Sequence, residues 1–278
     1  MHLFNQTAYK TSKIITENYS TSFSYATSLL EKERRKAIYA IYGFVRFADE
    51  IVDTFHEWNK ELLLDKFEKD LDDALQQKIS LNPVLHSFQL VVKEYGIPYE
   101  YIHAFLTSMR FDLHKKEYVT KLEADTYIYG SADVVGLMCL RVFCNGNEEL
   151  FQQLKQPAMK LGSAFQKVNF LRDIKNDIEN LGRNYFPGIN GNGFNETSKK
   201  QIIDEIEQDF REAYEGIKQL PEDSKLAVLL AYYYYRKLLL KLGNTPASEI
   251  MNHRIRISNF GKIIIFLKAK GFHTLKLV

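Results

Sequence analysis

The sequence predicts an all-α fold in one domain spanning 1–278, and three observations carry that prediction. Glycine and proline are scarce, 14 and 6 in 278 residues. Residues 30–79 contain only Gly43, and residues 99–129 contain neither glycine nor proline. Apolar residues recur at helical spacing, while alternation bounded by turn residues is rare. A hydrophobic share of 45% with 26% charged residues suits a soluble chain able to bury a sizeable core.

In chain order, the spacing predicts helices over 7–18, 21–29, 32–57 and 60–77. The segment "LNP" then opens a helix over 82–95, and "YGIP" separates it from one over 99–116. A further helix over 122–144 ends at "NGN", which introduces the next, 147–179. The stretch "GINGNGFNETS", 188–198, is the richest in Gly and Asn and reads as a loop. Its end supplies Thr197 or Ser198 as N-cap for a helix over 199–219. Helices over 222–243 and near 258–269 complete the chain. No composition shift, fixed-period repeat or low-complexity segment divides it.

The N-terminal "MHLFNQTAYKTSK" lacks the apolar core of a signal peptide. No apolar run reaches the ~18–20 residues of a spanning helix. Cys139 and Cys144 lie in one apolar stretch and read as buried thiols in a reducing compartment. A net charge of +2 offers no general argument for nucleic acid. A cytoplasmic location is the expectation.

Chemistry is concentrated in two acidic clusters. In "IYGFVRFADEIVDTF", 41–55, acids are set into an apolar run. On a helical wheel Ile38, Asp49, Tyr42 and Asp53 fall within about 60°. Arg46 lies just beyond Asp53, and Glu50 further toward solvent. A carboxylate so placed costs several kcal/mol, roughly, unless it is paired or binds a cation. Pairing of Arg46 with Asp49 or Glu50 along the helix is the simpler account of this cluster alone. The second cluster, within 162–187, places Asn169, Asp173, Gln166 and Asp177 in an arc of about 80°, flanked by Phe165 and Phe170. A polar seam bonded to a neighbouring helix would explain that stripe. So would a hard-cation site, because Mg²⁺ prefers carboxylate oxygens and is completed by substrate phosphates. Two facing Asp–x–x–x–Asp helices would hold Mg²⁺ against a diphosphate and promote its departure. The carbocation left behind would need a dry, aromatic-lined cavity. "FSYA" (23–26), "YIYG" (127–130) and "AYYYY" (231–235) are candidate walls.

With these clusters in view, the chain resembles the squalene/phytoene synthase family of head-to-head prenyl transferases. The matching blocks are "STSFSYATSLL" (20–30), "AIYGFVRFADEIVD" (40–53), "YIYGSADVVGLM" (127–138), "LGSAFQKVNFLRDIKNDIENLGRNYFP" (161–187) and "HRIRIS" (253–258). The resemblance implies an isoprenoid-synthase helical fold with a central apolar cavity. It also implies condensation of two prenyl diphosphates through a cyclopropyl diphosphate. Carried over by motif, Asp49, Asp53, Asp173, Asp177 and Tyr185 would be the catalytic set. Asp49, Asp53, Asn169, Asp173 and Asp177 would hold two or three Mg²⁺ ions, with Mn²⁺ the alternative. Gln166 and Asn169 would line the same site. Arg46, Arg172, Arg183 and Tyr185 would contact diphosphate or order the lid loop. Ser22 and Phe23 would lie near the substrate, and Arg254 and Arg256 would face a diphosphate from the C-terminal side. One departure stands out: Asp133 occupies the place of a glycine that would let the mid-chain helix kink.

The expected reaction is two geranylgeranyl diphosphates to phytoene, through prephytoene diphosphate. Dehydrosqualene or squalene synthesis from farnesyl diphosphate is the nearest alternative. NADPH is not expected. A non-catalytic helical interaction protein is the competing class, with the acid stripes as salt-bridged seams. A head-to-tail transferase or terpene cyclase would favour Asp-Asp-x-x-Asp patterns instead. The C-terminal "GKIIIFLKAKGFHTLKLV" mixes apolar and Lys residues like an interfacial segment, which suggests peripheral contact with the inner membrane face. An ordinary terminal helix docked on the core is the stronger of the two readings.

Overall fold

The computed structural model describes residues 1–187, 189 and 193–275. In order its helices are α1 (His2–Tyr19), α2 (Thr21–Ser28), α3 (Lys32–Asp53), α4 (Lys60–Gln77), α5 (Pro83–Tyr95), α6 (Tyr99–His114) and α7 (Lys121–Ile128). A π-helical turn, Tyr129–Asp133, joins α7 to α8 (Val134–Cys144). Then come α9 (Glu148–Glu179), α10 (Glu196–Ile217), α11 (Glu222–Gly243), α12 (Ala247–Ile250) and α13 (Asn259–Thr274). No strand forms among the described residues; the nearest approach is one parallel bridge between Glu117 and Asn184. The all-α expectation holds.

The differences from the expected boundaries have local causes. α1 begins at His2 rather than residue 7, because Phe4 packs on the His86 ring and the Asn5 amide oxygen bonds its Nε2 at 2.9 Å. α3 stops at Asp53, not 57. Lys60 Nζ and Arg183 Nη2 both donate to the Val52 carbonyl in its last turn, satisfying a terminal acceptor from outside the helix. The cap of α10 is Asn195, not Thr197 or Ser198. Its side chain accepts from the Thr197 and Ser198 amides, and Ser198 answers through its own hydroxyl. Ser198 is thus the third helical residue of a reciprocal capping box.

The expected single helix over 122–144 is continuous but wider in its middle. Gly130 sits there against Ser108 and the Ala104 carbonyl of α6, where a β-carbon would collide with both. Against the expectation that no apolar run reaches spanning length, Lys121–Cys144 is, among the described residues, long and apolar enough to cross a membrane. Its most apolar window is 56% buried, as befits a helix wedged between α6 and α9.

Two apolar clusters form the core. The first gathers α3 to α6 and α8 around Phe44, whose ring stacks on Phe88 at 4.1 Å. The second gathers α7, α10, α11 and α13 around the later part of α9, with Phe170, Tyr185 and Phe210 inside it. α9 runs through both: Phe151 and Leu154 belong to the first, Val168 to Ile174 to the second. Cys139 and Cys144 are free, with burial pushing their thiols up to about 12 and about 11.

Candidate active site

A cavity of about 520 Å³ opens between the two clusters. Its lining changes character along two helices at once. On α3 it passes from Ile38 and Val45 to Arg46, Asp49 and Asp53. On α9 it passes from Leu154 and Pro157 through Gln166 and Asn169 to Asp173 and Asp177. The apolar part is completed by Val135, Cys139, Leu140 and Phe143 of α8. The acidic ends of both helices therefore share one mouth. Each helix also directs its C-terminal end there, with no basic residue in its last turn. The negative ends of two helix dipoles add to the carboxylates, and together they favour cations.

Arg183 fastens the two ends together. Gly182, at φ +63, turns the chain back after α9, a conformation glycine adopts without steric cost. The Arg183 amide then donates to the Asp177 carbonyl at 2.7 Å. Its guanidinium donates to Asp53 Oδ1 at 2.7 Å and to the Asp112 carbonyl at 2.9 Å. The next residues pair with the segment after α6: Asn184 donates to the Lys116 carbonyl, and Tyr118 to that of Asn184. Below them the Tyr185 ring stacks on Phe170 at 4.1 Å and near Tyr127 at 5.0 Å.

The acids are held unequally. Asp173 is paired with Arg172 Nη2 at 2.5 Å and with Arg254 Nε at 2.7 Å. Burial, then the neighbouring Asp53, pushes the Asp49 carboxyl up to about 8 against the pull of Arg46. Burial, then Asp173 and Asp53, pushes Asp177 up to about 7. Neither Asp49 nor Asp177 has an ion-pair partner among the described residues. Arg46 pairs with Glu50 at 2.7 Å and lies over the Tyr19 ring at 4.4 Å. Glu50 is therefore not on the solvent side as expected: its side chain is 14% exposed, against 40% for Asp53. Of the two helical pairings weighed for Arg46, the one with Glu50 forms.

Of the expected site residues, Asp49, Asp53, Asp173, Asp177, Arg46, Arg172, Arg183, Arg254, Gln166, Asn169, Phe23 and Tyr185 all line this cavity. Asn169 Oδ1 accepts from the Tyr235 hydroxyl at 3.3 Å, and Gln166 Nε2 donates to Ser131 Oγ at 3.4 Å. Ser22 and Arg256 are not brought in. They line a second cavity of about 770 Å³ beside it. Of the candidate aromatic walls, Phe23 and Tyr127 line the first cavity, while Tyr234 and Tyr235 line the second.

The donor set suits a hard divalent cation, because the oxygens are carboxylates and an amide whose mutual repulsion a cation would relieve. Among the described residues, no three acidic, His or Cys side chains gather into a preformed cage. The acids stand instead as two pairs facing across the mouth.

Asp112 was not anticipated. It accepts from the Tyr127 hydroxyl at 2.7 Å and from Tyr185 at 3.2 Å, 3.6 Å from Arg183. Burial pushes its carboxyl up to about 7, although Arg183 and Tyr127 hold it back. The signal was present in "TSMRFDLH", an acid beside an apolar helix face like Asp49. Asp133 does not reach the cavity. It is buried behind the wall, accepting from Ser163 Oγ of α9 at 2.7 Å. Asp133 is the last residue of the widened turn, Tyr129–Asp133.

Comparisons with known proteins bear on the family and the fold. The family model for squalene/phytoene synthase matches residues 16–189. A 15-cis-phytoene synthase from Synechocystis is 29% identical over 266 residues, covering 84% of this chain and 75% of that one. A 4,4'-diapophytoene synthase from Staphylococcus haemolyticus is 29% identical over 281 residues, covering 92% and 94%. The crystal structure of a dehydrosqualene synthase in complex with ligand shares the fold, with a TM-score of 0.85 at 24% identity over 99% and 98% of the two chains. With a match over more than half its length, the chain belongs to the squalene/phytoene synthase family.

Proposed function

We propose that the protein joins two geranylgeranyl diphosphates head to head, giving phytoene through a cyclopropyl diphosphate and releasing both diphosphates. The observation that carries this reading is the change in lining from apolar to acidic along α3 and α9, within one cavity. A prenyl diphosphate has the same two halves. Its tail would occupy the region of Val135, Leu140 and Phe143, and its diphosphate the mouth.

Two or three Mg²⁺ ions, or Mn²⁺ in their place, would be held by Asp49, Asp53, Asn169, Asp173 and Asp177 and would neutralise the departing diphosphate. Arg172, Arg183 and Arg254 now neutralise Asp173 and Asp53. On loading, the same guanidiniums would be available to diphosphate oxygens, which they bind in bidentate fashion. As the C–O bond breaks, its electron pair leaves with the diphosphate oxygen. The allylic cation must then meet the double bond of the second chain before it meets water. Phe23, Phe165, Phe170 and Tyr185 line that space and would keep water from it. No reductant enters this scheme.

A second reading, two farnesyl diphosphates to dehydrosqualene or squalene, is favoured by one observation. The relative named for diapophytoene synthesis covers nearly the full length of both chains. Incubation with each prenyl diphosphate and Mg²⁺, with and without NADPH, followed by mass analysis of the hydrocarbon, separates the two. A C40 hydrocarbon without NADPH is the expected product, a C30 hydrocarbon selects the second reading, and no turnover of either substrate defeats both.

A further inference from the structure

The chemistry proposed above makes no use of Asp133. Its side chain is buried behind the cavity wall, where a carboxyl costs stability unless its partners compensate it. Among the described residues its hydrogen-bond partner is one neutral hydroxyl, Ser163 Oγ of α9 at 2.7 Å. Lys160 and Lys167 are near enough to favour its charge. Both donate instead to Asp209 of α10, at 2.9 and 2.8 Å. A buried acid so thinly compensated adds little to stability, and groups of that kind are found where function needs them.

Asp133 ends the widened turn, in which the Val134 amide donates to the Tyr129 carbonyl. Such a turn inserts one residue into the helix and re-aims the side chains around it. This one meets α9 at three points. In the middle, Gly162 lies so close that a β-carbon would come within 2.8 Å of the Ala132 carbonyl oxygen. To one side Asp133 bonds Ser163. To the other, Ser131 Oγ accepts from Gln166 Nε2 at 3.4 Å. Ser131 and Gln166 line the acidic cavity, whereas Asp133 and Ser163 stand behind it. α9 is a firm support for the turn, because the Lys167–Asp209 pair that ties it to α10 is itself buried.

Gln166 is the residue at which the α9 lining changes from apolar to polar. In a prenyl diphosphate the carbon that loses the diphosphate lies at the same border. The bond to Ser131 fixes the amide, and the amide oxygen has no partner among the described residues. A dipole held there in advance needs no reorganisation when positive charge develops beside it. We propose that Asp133 is a positioning residue: by holding the widened turn to Ser163 it places Ser131, and through Ser131 it aims the Gln166 amide at the reacting end of the substrate. The catalytic consequence rests on the function proposed above; the aiming of the amide does not.

Steady-state kinetics on the full chain test the catalytic consequence. Asp133→Ala, Ser163→Ala and Ser131→Ala should each lower kcat by about tenfold with KM changed less than about twofold, as misplacement of a group used in the transition state does. Ser163→Ala breaks the same bond from the other side and carries the test if Asp133→Ala does not fold. Asp133→Asn keeps an acceptor for Ser163 and should retain at least about half of the parent kcat. In a Gln166→Ala background Asp133→Ala should have no further effect, because it acts through that amide. An equal loss in both backgrounds marks a merely structural role and overturns the proposal, as does parental kcat in Asp133→Ala and Ser163→Ala. NMR of isotope-labelled glutamine side-chain amides tests the aiming without substrate. The signal missing from Gln166→Ala should shift in Ser131→Ala, Asp133→Ala and Ser163→Ala and stay in place in Asp133→Asn. A signal unmoved by loss of the Asp133–Ser163 bond overturns the inference. A shifted signal in a protein that turns over no prenyl diphosphate would leave the aiming standing and remove the function.

Discussion

The acid pairs that end α3 and α9 have the same spacing, yet they are held in different ways. Asp53 is gripped by Arg183, 130 residues downstream, whose side chain is 7% exposed and also bonds two backbone carbonyls. Asp173 is gripped by its own neighbour Arg172 and by Arg254, whose side chain is 51% exposed. The α3 side is fixed by a buried, many-bonded cation. The α9 side is held in part by an exposed one that can leave at small cost. Each helix keeps its other acid, Asp49 or Asp177, half-buried and pushed up. The two sides can therefore be separated experimentally into one that builds the mouth and one that adapts to its contents.

The largest effect should come from removing one acid on either side. Asp49→Asn and Asp173→Asn should each lower turnover by about 10³-fold or more with helical circular dichroism intact. Near-full activity in either would make the clamp one-sided. Next come the two arginines. Arg183→Ala strands Asp53 and Asp112 and should cost roughly 3–5 kcal/mol in denaturant melts, as removal of one partner of a buried pair does. Arg254→Ala should change stability by less than about 0.5 kcal/mol while weakening substrate use. Equal stability losses would erase the distinction between the two sides.

Asp133 is a buried acid outside both pairs and isolates the effect of burial. Burial pushes its carboxyl up to about 7 from 3.8. Between those values the folded chain binds more protons than the unfolded one, so stability falls as pH rises through that window. Asp133→Asn should therefore melt several degrees above the parent at pH 8, roughly, with the gap closing toward pH 4. A constant gap would mean that the carboxyl is ionised throughout. The smallest effect belongs to Glu50→Gln. Glu50 meets Arg46 and Thr54 rather than the facing helix, so turnover should fall by less than about tenfold. A loss as large as that of Asp49→Asn would make Glu50 a member of the clamp.

Much of the site was legible because helical periodicity is local. Asp49 with Asp53, and Asp173 with Asp177, share a face whatever lies opposite. Glu50 was misplaced because the wheel describes angle but not depth. Tyr19 and Arg46 cover that side, and α1 is invisible from within α3. Ser22 and Arg256 were assigned by motif to a site that in space divides into two cavities. Asp112 was overlooked because its local signal is a single acid beside an apolar helix face, and only packing brings Arg183 and two phenols over it.

Composition and spacing were sufficient for the all-α class and the polar edge of each helix, and the resemblance of short motifs for the family, because these depend on residues within a few turns of one another. Packing was needed for the rest: that the two acidic ends meet, that Arg183 joins them, and that a second cavity runs under α13. Those features depend on contacts between residues far apart in the chain. Helical period sets which way a side chain faces; only the packed core sets what it faces.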